Sequence, residues 1–162
     1  DDGKVKWSAA KEALPQKRVL KSEVAHSVQT MMETTVSDGT SYRAFHDGKG
    51  RSFLPGVSVA SKTGTLTDAA NQRFYTWFAS FAPSKPITLE VVDGETPAQP
   101  HRVSFGVLVV NDPKWTIKAN VLAREVLRTY FAEQKVPGVT APKGTTEKEH
   151  DAPSATASAK KH

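Results

Sequence analysis

The chain has 162 residues, of which 38% are hydrophobic and 24% are charged. These proportions are typical of one ordinary soluble domain with a hydrophobic core. There is no cysteine, which excludes disulfides, thiolate zinc sites and a cysteine nucleophile. The net charge of +5 is spread along the chain rather than gathered in a stripe, and no recognised binding motif accompanies it. We therefore expect no nucleic-acid partner.

The longest apolar run, residues 105–110, is far shorter than the roughly 20 residues that a membrane span requires. The chain starts at Asp1 without a methionine, so we expect a piece of a longer protein. Any export signal or membrane anchor would then belong to the parent chain.

The first periodic segment is residues 22–36, after a polar and basic stretch over residues 1–21. Ser22 is the expected N-cap, and the segment is expected to end at residues 37–40. Apolar residues recur at helical spacing at Val24, Val28, Met31, Met32 and Val36. This pattern predicts an amphipathic helix whose apolar stripe, methionines included, fills the core.

Residues 41–56 are predicted to form a loop rich in glycine and arginine. Its segment Gly48-Lys49-Gly50-Arg51-Ser52 is faintly similar to a phosphate-binding loop. Arg43 stands where the first glycine of that pattern is required, and no hydroxyl residue follows Lys49. We interpret the segment as a basic surface loop.

Residues 57–66 begin as a β-branched run and end in Lys62-Thr63-Gly64-Thr65. The composition predicts a strand with a cation, two hydroxyls and a bare backbone position at one end, which suits an anionic ligand. Alternation places Lys62 and Gly64 on one face and Thr63 and Thr65 on the other. A ligand that contacts all four would lie along the open edge of the strand. The tripeptide Lys-Thr-Gly is short enough to recur by chance. Without further context we would interpret it as a polar strand end with a turn glycine and not as a binding site.

Two further strands and a second helix follow. Residues 74–81 are strongly aromatic and predict a strand. The proline-rich connection over 83–102 holds a possible short strand at residues 87–92. Residues 102–110 are the most apolar, so we expect the most deeply buried strand there. Residues 119–131 repeat at helical spacing.

Residues 137–162, which begin at Pro137-Gly138, are low in apolar residues and predict a disordered tail. The order helix, strand, strand, strand, helix predicts an α+β fold in which helices flank an antiparallel sheet.

This order resembles the C-terminal half of a penicillin-binding protein transpeptidase domain, in the superfamily that also contains the serine β-lactamases. The similar segments are residues 23–40, 59–65 with the Lys-Thr-Gly motif, 75–83 with Ser80 where glycine is usual, 105–111 and 119–131. The resemblance implies a β-lactamase/transpeptidase-like fold over residues 22–136, present as an incomplete C-terminal portion.

The resemblance also implies the chemistry, which is peptidoglycan cross-linking by serine acyl transfer. The partners would be stem peptides that end in D-Ala-D-Ala and the β-lactams that imitate them. Lys62 would supply positive potential and assist proton transfer, Thr63 and Thr65 would hold the substrate carboxylate, and Gly64 would keep the strand edge open. The Thr65 amide would be one oxyanion donor. No cofactor and no metal ion are expected.

Two of the three catalytic motifs of that family are missing, since no Ser-x-Asn occurs in the chain. The only Ser-x-x-Lys upstream of the central strand, at Ser8 and Lys11, lies too close to Lys62 for the family's nucleophile and is interpreted as a solvated polar segment. We expect the chain to be inactive alone and to require the upstream half of the same domain. The reaction implies the periplasm or cell envelope.

Several alternatives remain open from the sequence. They are a D,D-carboxypeptidase, a β-lactamase or a β-lactam sensor of the same superfamily, a non-catalytic binding module, and a basic domain that binds nucleic acid or anionic lipid. The five histidines, at 26, 46, 101, 150 and 162, show no metal-ligand spacing. The sequence leaves undetermined whether a glycosyltransferase domain precedes this segment, whether the role is elongation or division, and the oligomeric state.

Overall fold

A computed structural model describes residues 17–89 and 98–143 of the chain. The elements in these ranges are α1 (Ser22–Ser37), α2 (Tyr42–Phe45), β1 (Ala60–Asp68), β2 (Arg73–Ala82), β3 (Val103–Asn111) and α3 (Ala119–Glu133). The strands form an antiparallel sheet in the order β1-β2-β3. The expected α+β class with a helix-flanked antiparallel sheet is therefore confirmed.

The central strand of the sheet is β2, which pairs with β1 on one side and with β3 on the other. Its side chains alternate, so that Thr76, Phe78 and Ser80 are buried on one face while Trp77 and Ala79 are exposed on the other. We call these the inner face and the outer face of the sheet.

The third helix covers the inner face. Its residues Ala119, Ala123, Leu127 and Phe131 recur every four positions, and each is 0% exposed. They join a core that includes Phe78, whose ring stacks on another aromatic ring at 5.7 Å between centroids. The predicted helix over residues 119–131 is confirmed, because its apolar stripe is matched by an apolar sheet face within the same chain.

The prediction that the third strand is the most deeply buried is wrong. Along β3, half-buried side chains alternate with exposed ones, and the outward-facing Leu108 and Val110 are 43% and 46% exposed. In the described residues β3 pairs with β2 alone, so it is an edge strand that is covered on its inner face only. Because the sequence of β3 is apolar at nearly every position, the side chains on its uncovered outer face form an apolar surface.

The expected burial of the α1 stripe is also wrong. Val36 is the only residue of α1 that is buried, Met32 is half-buried, and Val24, Val28 and Met31 are exposed, Met31 by 63%. The reason is that α1 packs against the remainder of the described chain through its C-terminal half only.

Several predicted boundaries shift by a few residues. Ser22 is the first helical residue rather than the N-cap, because Lys21 occupies the cap position without a side-chain cap bond. The predicted loop over 41–56 contains α2, and the central strand β1 starts and ends later than residues 57–66.

Some sequence predictions concern residues at the limits of the described ranges. Residues 87–89 are not a strand, and residues 90–92 of that expected strand lie outside the described part. Ser8 and Lys11 lie outside it, as do residues 144–162 of the expected tail. Within residues 137–143 of that tail, Val139 is buried in the core, and Thr140 O accepts a hydrogen bond of 3.0 Å from Arg128 Nε.

A carboxylate joins α1 to the end of β2. Glu33 Oε1 accepts hydrogen bonds from Ser84 Oγ at 2.7 Å and Gln29 Nε2 at 3.0 Å, and Lys85 Nζ lies 2.5 Å from Glu33 Oε2. Burial raises the pKa of Glu33, but the hydrogen bonds from Lys85, Ser84 and Gln29 and the positive charge of Lys85 outweigh it and hold the pKa below its ordinary value of 4.5.

This junction predicts a specific pH dependence of stability. A depressed pKa in the folded state adds stability that is present above 4.5, and that stability is lost as the pH falls through the folded-state pKa. We expect Glu33→Gln to lower the free energy of unfolding by about 1 kcal/mol at neutral pH, with the difference from wild type shrinking below pH 4.5.

Urea denaturation at several pH values measures this difference. Glu23→Gln is the matched control, because it removes the same charge from an exposed position in the first turn of α1. A wild-type to Glu33→Gln difference that stays constant on acidification would contradict the assignment.

Candidate functional site

The register between β1 and β2 places the residues of the Lys-Thr-Gly segment on opposite faces of the sheet. Lys62 lies opposite Ala79 and Gly64 opposite Trp77, both on the outer face. Thr63 and Thr65 pair with the inner-face residues Phe78 and Thr76. Lys62 is exposed, and its Nζ donates a hydrogen bond of 2.6 Å to the backbone oxygen of Thr63.

A polar pocket of about 320 Å³ opens beside this segment. It is lined by Thr40, Thr63, Gly64, Thr65, Thr76, Trp77, Lys118, Ala119 and Asn120. The structure thus brings together three of the four expected site residues. Lys62 is adjacent in sequence but is not among the lining residues.

The pocket is assembled from four separate parts of the chain, at residue 40 and at residues 63–65, 76–77 and 118–120. The hydroxyls of Thr40 and Thr63 share a hydrogen bond of 2.9 Å, which ties the end of the α1 region to β1. The amide of Ala119 donates a buried hydrogen bond of 3.0 Å to Thr76 Oγ1, which fixes the start of α3 on β2. Because these hydrogen bonds are made within the chain, the walls of the pocket are positioned before any ligand binds.

Sequence reasoning did not identify Thr40, Thr76, Lys118 and Asn120 as site residues. They lie far apart along the chain and match no local pattern, so the sequence carried no signal for three of them. Thr40 follows Gly39 at the end of α1, and this Gly-Thr pair was the one available indication.

The chemistry of the lining suits an anion. Among the residues that the structure describes, Thr40, Thr63 and Thr65 supply hydroxyls to the lining, Lys118 is its one charged residue, and no acidic side chain takes part. The Oγ1 of Thr76 already accepts a hydrogen bond from the Ala119 amide, so we interpret Thr76 as a structural residue of the pocket rather than a ligand-binding one.

A second polar pocket, of about 300 Å³, lies between α1 and the start of β1, and Glu33 and Lys85 line it together. Because these two charges neutralise one another, the pocket offers no net charge to a ligand. His46 also lines it, but its Nδ1 is within 3.0 Å of the Tyr42 backbone oxygen and its ring stacks on Tyr42. We interpret this pocket as structural.

The basic loop is folded around Asp47 rather than around an anion. Oδ1 of Asp47 accepts the backbone amides of Lys49 at 2.8 Å and Arg51 at 2.9 Å, and Oδ2 accepts Arg51 Nε at 2.7 Å. The hydrogen bonds from Arg51 hold the pKa of Asp47 below its ordinary range. Because these amides are used internally, they are not available to cradle a phosphate.

Among the residues that the structure describes, no group of three or more His, Asp or Glu side chains is arranged to hold a metal ion. Within the same ranges, every helix is too short or too polar to cross a bilayer.

Comparison with known families identifies the chain. Residues 3–103, more than half of the sequence, match the family described as penicillin binding protein transpeptidase domain. The chain belongs to this family. No curated protein and no solved structure matches it significantly. The matched range starts upstream of residue 22 and stops at the beginning of β3, and the boundaries 1–21, 22–136 and 137–162 stay a prediction.

Two glycines near the pocket are expected to respond differently to alanine. A Cβ at Gly39 would lie 2.9 Å from the backbone oxygen of Thr34 and from the Thr35 Cα, so Gly39→Ala should cost about 1–3 kcal/mol of stability. A Cβ at Gly64 would meet Trp77 Cβ at 3.5 Å, an ordinary contact, so Gly64→Ala should change stability by less than about 0.5 kcal/mol.

Thermal or urea unfolding of the two variants tests this contrast. A large loss of stability in Gly64→Ala would mean that the glycine is required by the fold. If Gly64→Ala is about as stable as the wild type, the fold does not require this glycine, and its role is to keep the strand edge accessible.

Proposed function

We propose that this chain is the C-terminal part of a serine-type D,D-transpeptidase and supplies one wall of its acyl-transfer site. The observation that carries the proposal is the pocket beside β1, where Thr63, Gly64 and Thr65 meet in a lining whose described residues include no acidic side chain. Family membership supports the reaction class, which is transfer of an acyl group from a stem peptide.

In the proposed reaction, a serine hydroxyl in the upstream half of the domain attacks the carbonyl carbon between the two terminal D-alanines. The terminal D-alanine leaves, and an amine of a neighbouring stem peptide then takes the acyl group from the serine. Thr63 and Thr65 hold the carboxylate of the leaving D-alanine. The Thr65 amide donates to the oxyanion, and Lys62 adds positive potential and assists proton transfer.

The composition of the pocket lining supports a site shared with an upstream half. The described residues that line it include no serine and no histidine. A β-lactam would enter the same site as an imitation of the peptide and would leave the upstream serine acylated. On its own, the chain would bind neither partner covalently.

Uncovered apolar surfaces support the same conclusion about an incomplete domain. The outer face exposes Leu66, Trp77, Leu108 and Val110, which the strand register brings into adjacent rows. Exposed apolar side chains also occur on α1 and beside α3, where Leu122, Val126 and Tyr130 line a groove of about 530 Å³. Contiguous surfaces of this kind mark interfaces, and the upstream half of the domain is the proposed partner.

The proposed cellular location of the protein follows from the proposed substrate, peptidoglycan. Peptidoglycan is assembled outside the cytoplasmic membrane, so we place the site in the periplasm or cell envelope, with any membrane anchor in the parent chain.

Three alternative classes of function are distinguished from the proposal by experiment, and the first two would use the same pocket. A non-catalytic module would bind the peptide without acylation, and a D,D-carboxypeptidase, β-lactamase or β-lactam sensor would share the Lys-Thr-Gly strand but differ in the fate of the acylated serine. A basic domain that binds nucleic acid or anionic lipid would be marked by binding that weakens steeply with salt.

Labelling with a fluorescent penicillin tests the proposal. The chain alone should not be labelled, whereas its complex with the upstream half should be labelled on a serine of that half. Lys62→Ala should slow labelling of the complex by about a hundredfold or more, the usual scale for a group that assists proton transfer. Lys49→Ala, which removes an exposed lysine of the basic loop, is the matched control and should label at the wild-type rate.

The other outcomes are equally informative. Labelling of this chain at Ser8 would place the nucleophile here and overturn the shared-site proposal. A folded complex that is not labelled, yet binds the stem peptide, would identify a non-catalytic binding module.

A further inference from the structure

The pocket beside β1 has its own positive charge, and that charge does not come from Lys62. Lys118 lines the pocket, while Lys62 points to the outer face and donates to the Thr63 backbone oxygen. We propose that Lys118 is a substrate-binding residue that pairs with the terminal carboxylate of the peptide held by Thr63 and Thr65. The inference rests on the proposed function, since that function supplies the ligand class.

The position of Lys118 is fixed by its neighbours. The next residue, Ala119, is completely buried and bonded to Thr76 Oγ1, and Asn120 Nδ2 donates to Ser41 Oγ at 3.3 Å. The backbone at residue 118 is therefore held against the pocket on both the β2 side and the α1 side. Its side chain is exposed, so a ligand can reach it, and its Nζ lies over the Trp115 ring, 5.2 Å from the ring centroid.

The opposite wall is held just as firmly. The hydrogen bond between Thr40 and Thr63 leaves the Thr63 hydroxyl beside the pocket, and Thr65 lies two residues further along the same inner face. A carboxylate that accepts from these hydroxyls lies between β1 and the start of α3. Among the described lining residues, Lys118 is the one that carries a positive charge to pair with it.

In this arrangement, Lys118 and Lys62 have different roles. Lys118 contributes to recognition of the carboxylate on the inner side of β1. Lys62 acts from the outer face and the strand edge, where proton transfer with the upstream half is proposed. A variant of Lys118 should therefore change the affinity for a charged peptide terminus rather than remove acylation chemistry.

The experiment compares two ligands, N-acetyl-D-alanyl-D-alanine and its C-terminal amide, which lacks the negative charge. Binding to the full chain is followed by the amide NMR shifts of Thr63, Gly64 and Thr65. We expect the wild-type chain to prefer the acid by about fivefold, and Lys118→Gln to abolish that preference. Lys118→Arg, which keeps the charge, should retain it, and so should Lys114→Gln, which removes an exposed lysine that does not line the pocket.

Each result has a definite meaning. Preference for the acid that survives in Lys118→Gln but is lost in Lys62→Gln would overturn the inference and make Lys62 the carboxylate partner. Equal binding of acid and amide to the wild-type chain would also overturn it. The readout does not use acylation, so failure of penicillin labelling in the complex would contradict the proposed function separately.

Discussion

The pairing of β1 with β2 decides which side of the sheet each residue of the Lys-Thr-Gly segment meets. Nine consecutive residue pairs, from Ala60 opposite Phe81 to Asp68 opposite Arg73, define this register. A slip of one residue would move the threonines to the outer face and Lys62 to the inner face, because side chains alternate along a strand. The pocket therefore depends on the register more than on any single contact. The Thr40–Thr63 and Ala119–Thr76 hydrogen bonds then bring the two other walls to that strand.

The distribution of buried and exposed apolar residues separates a packed core from apolar surfaces that the described residues leave uncovered. The inner face of the sheet and α3 bury each other, and Phe45 and Leu54 complete this core. The outer face and the first half of α1 carry apolar side chains of the same kind without cover in the described residues. Contiguous exposed apolar surface is typical of interaction sites. This exposure is an observation separate from the family match, and the proposed upstream half would account for it.

Much of the fold could be predicted from the sequence, because β2 and α3 bury their apolar residues within this chain. Helical periodicity gave a wrong prediction of burial at α1. A stripe of valines and methionines predicts an apolar face, but it does not show which surface covers that face. At β3, a nearly continuous apolar run predicted burial on both faces, and the structure covers only one. The site was predictable in part. Strand alternation placed Thr63 and Thr65 together, whereas Lys118 joins them only through tertiary structure, by way of a bond between α3 and β2 that no local pattern encodes.

The measurement that tests the shared acyl-transfer site most directly is a crystal structure of the assembled domain after acylation by a penicillin. We predict an acylated serine in the upstream half. We also predict that the drug carboxylate lies about 3 Å from the hydroxyls of Thr63 and Thr65, on the inner side of β1 that Lys118 lines. A carboxylate bound on the outer face beside Lys62 and Ala79, or an acyl group on a serine of this chain, would contradict the proposed site.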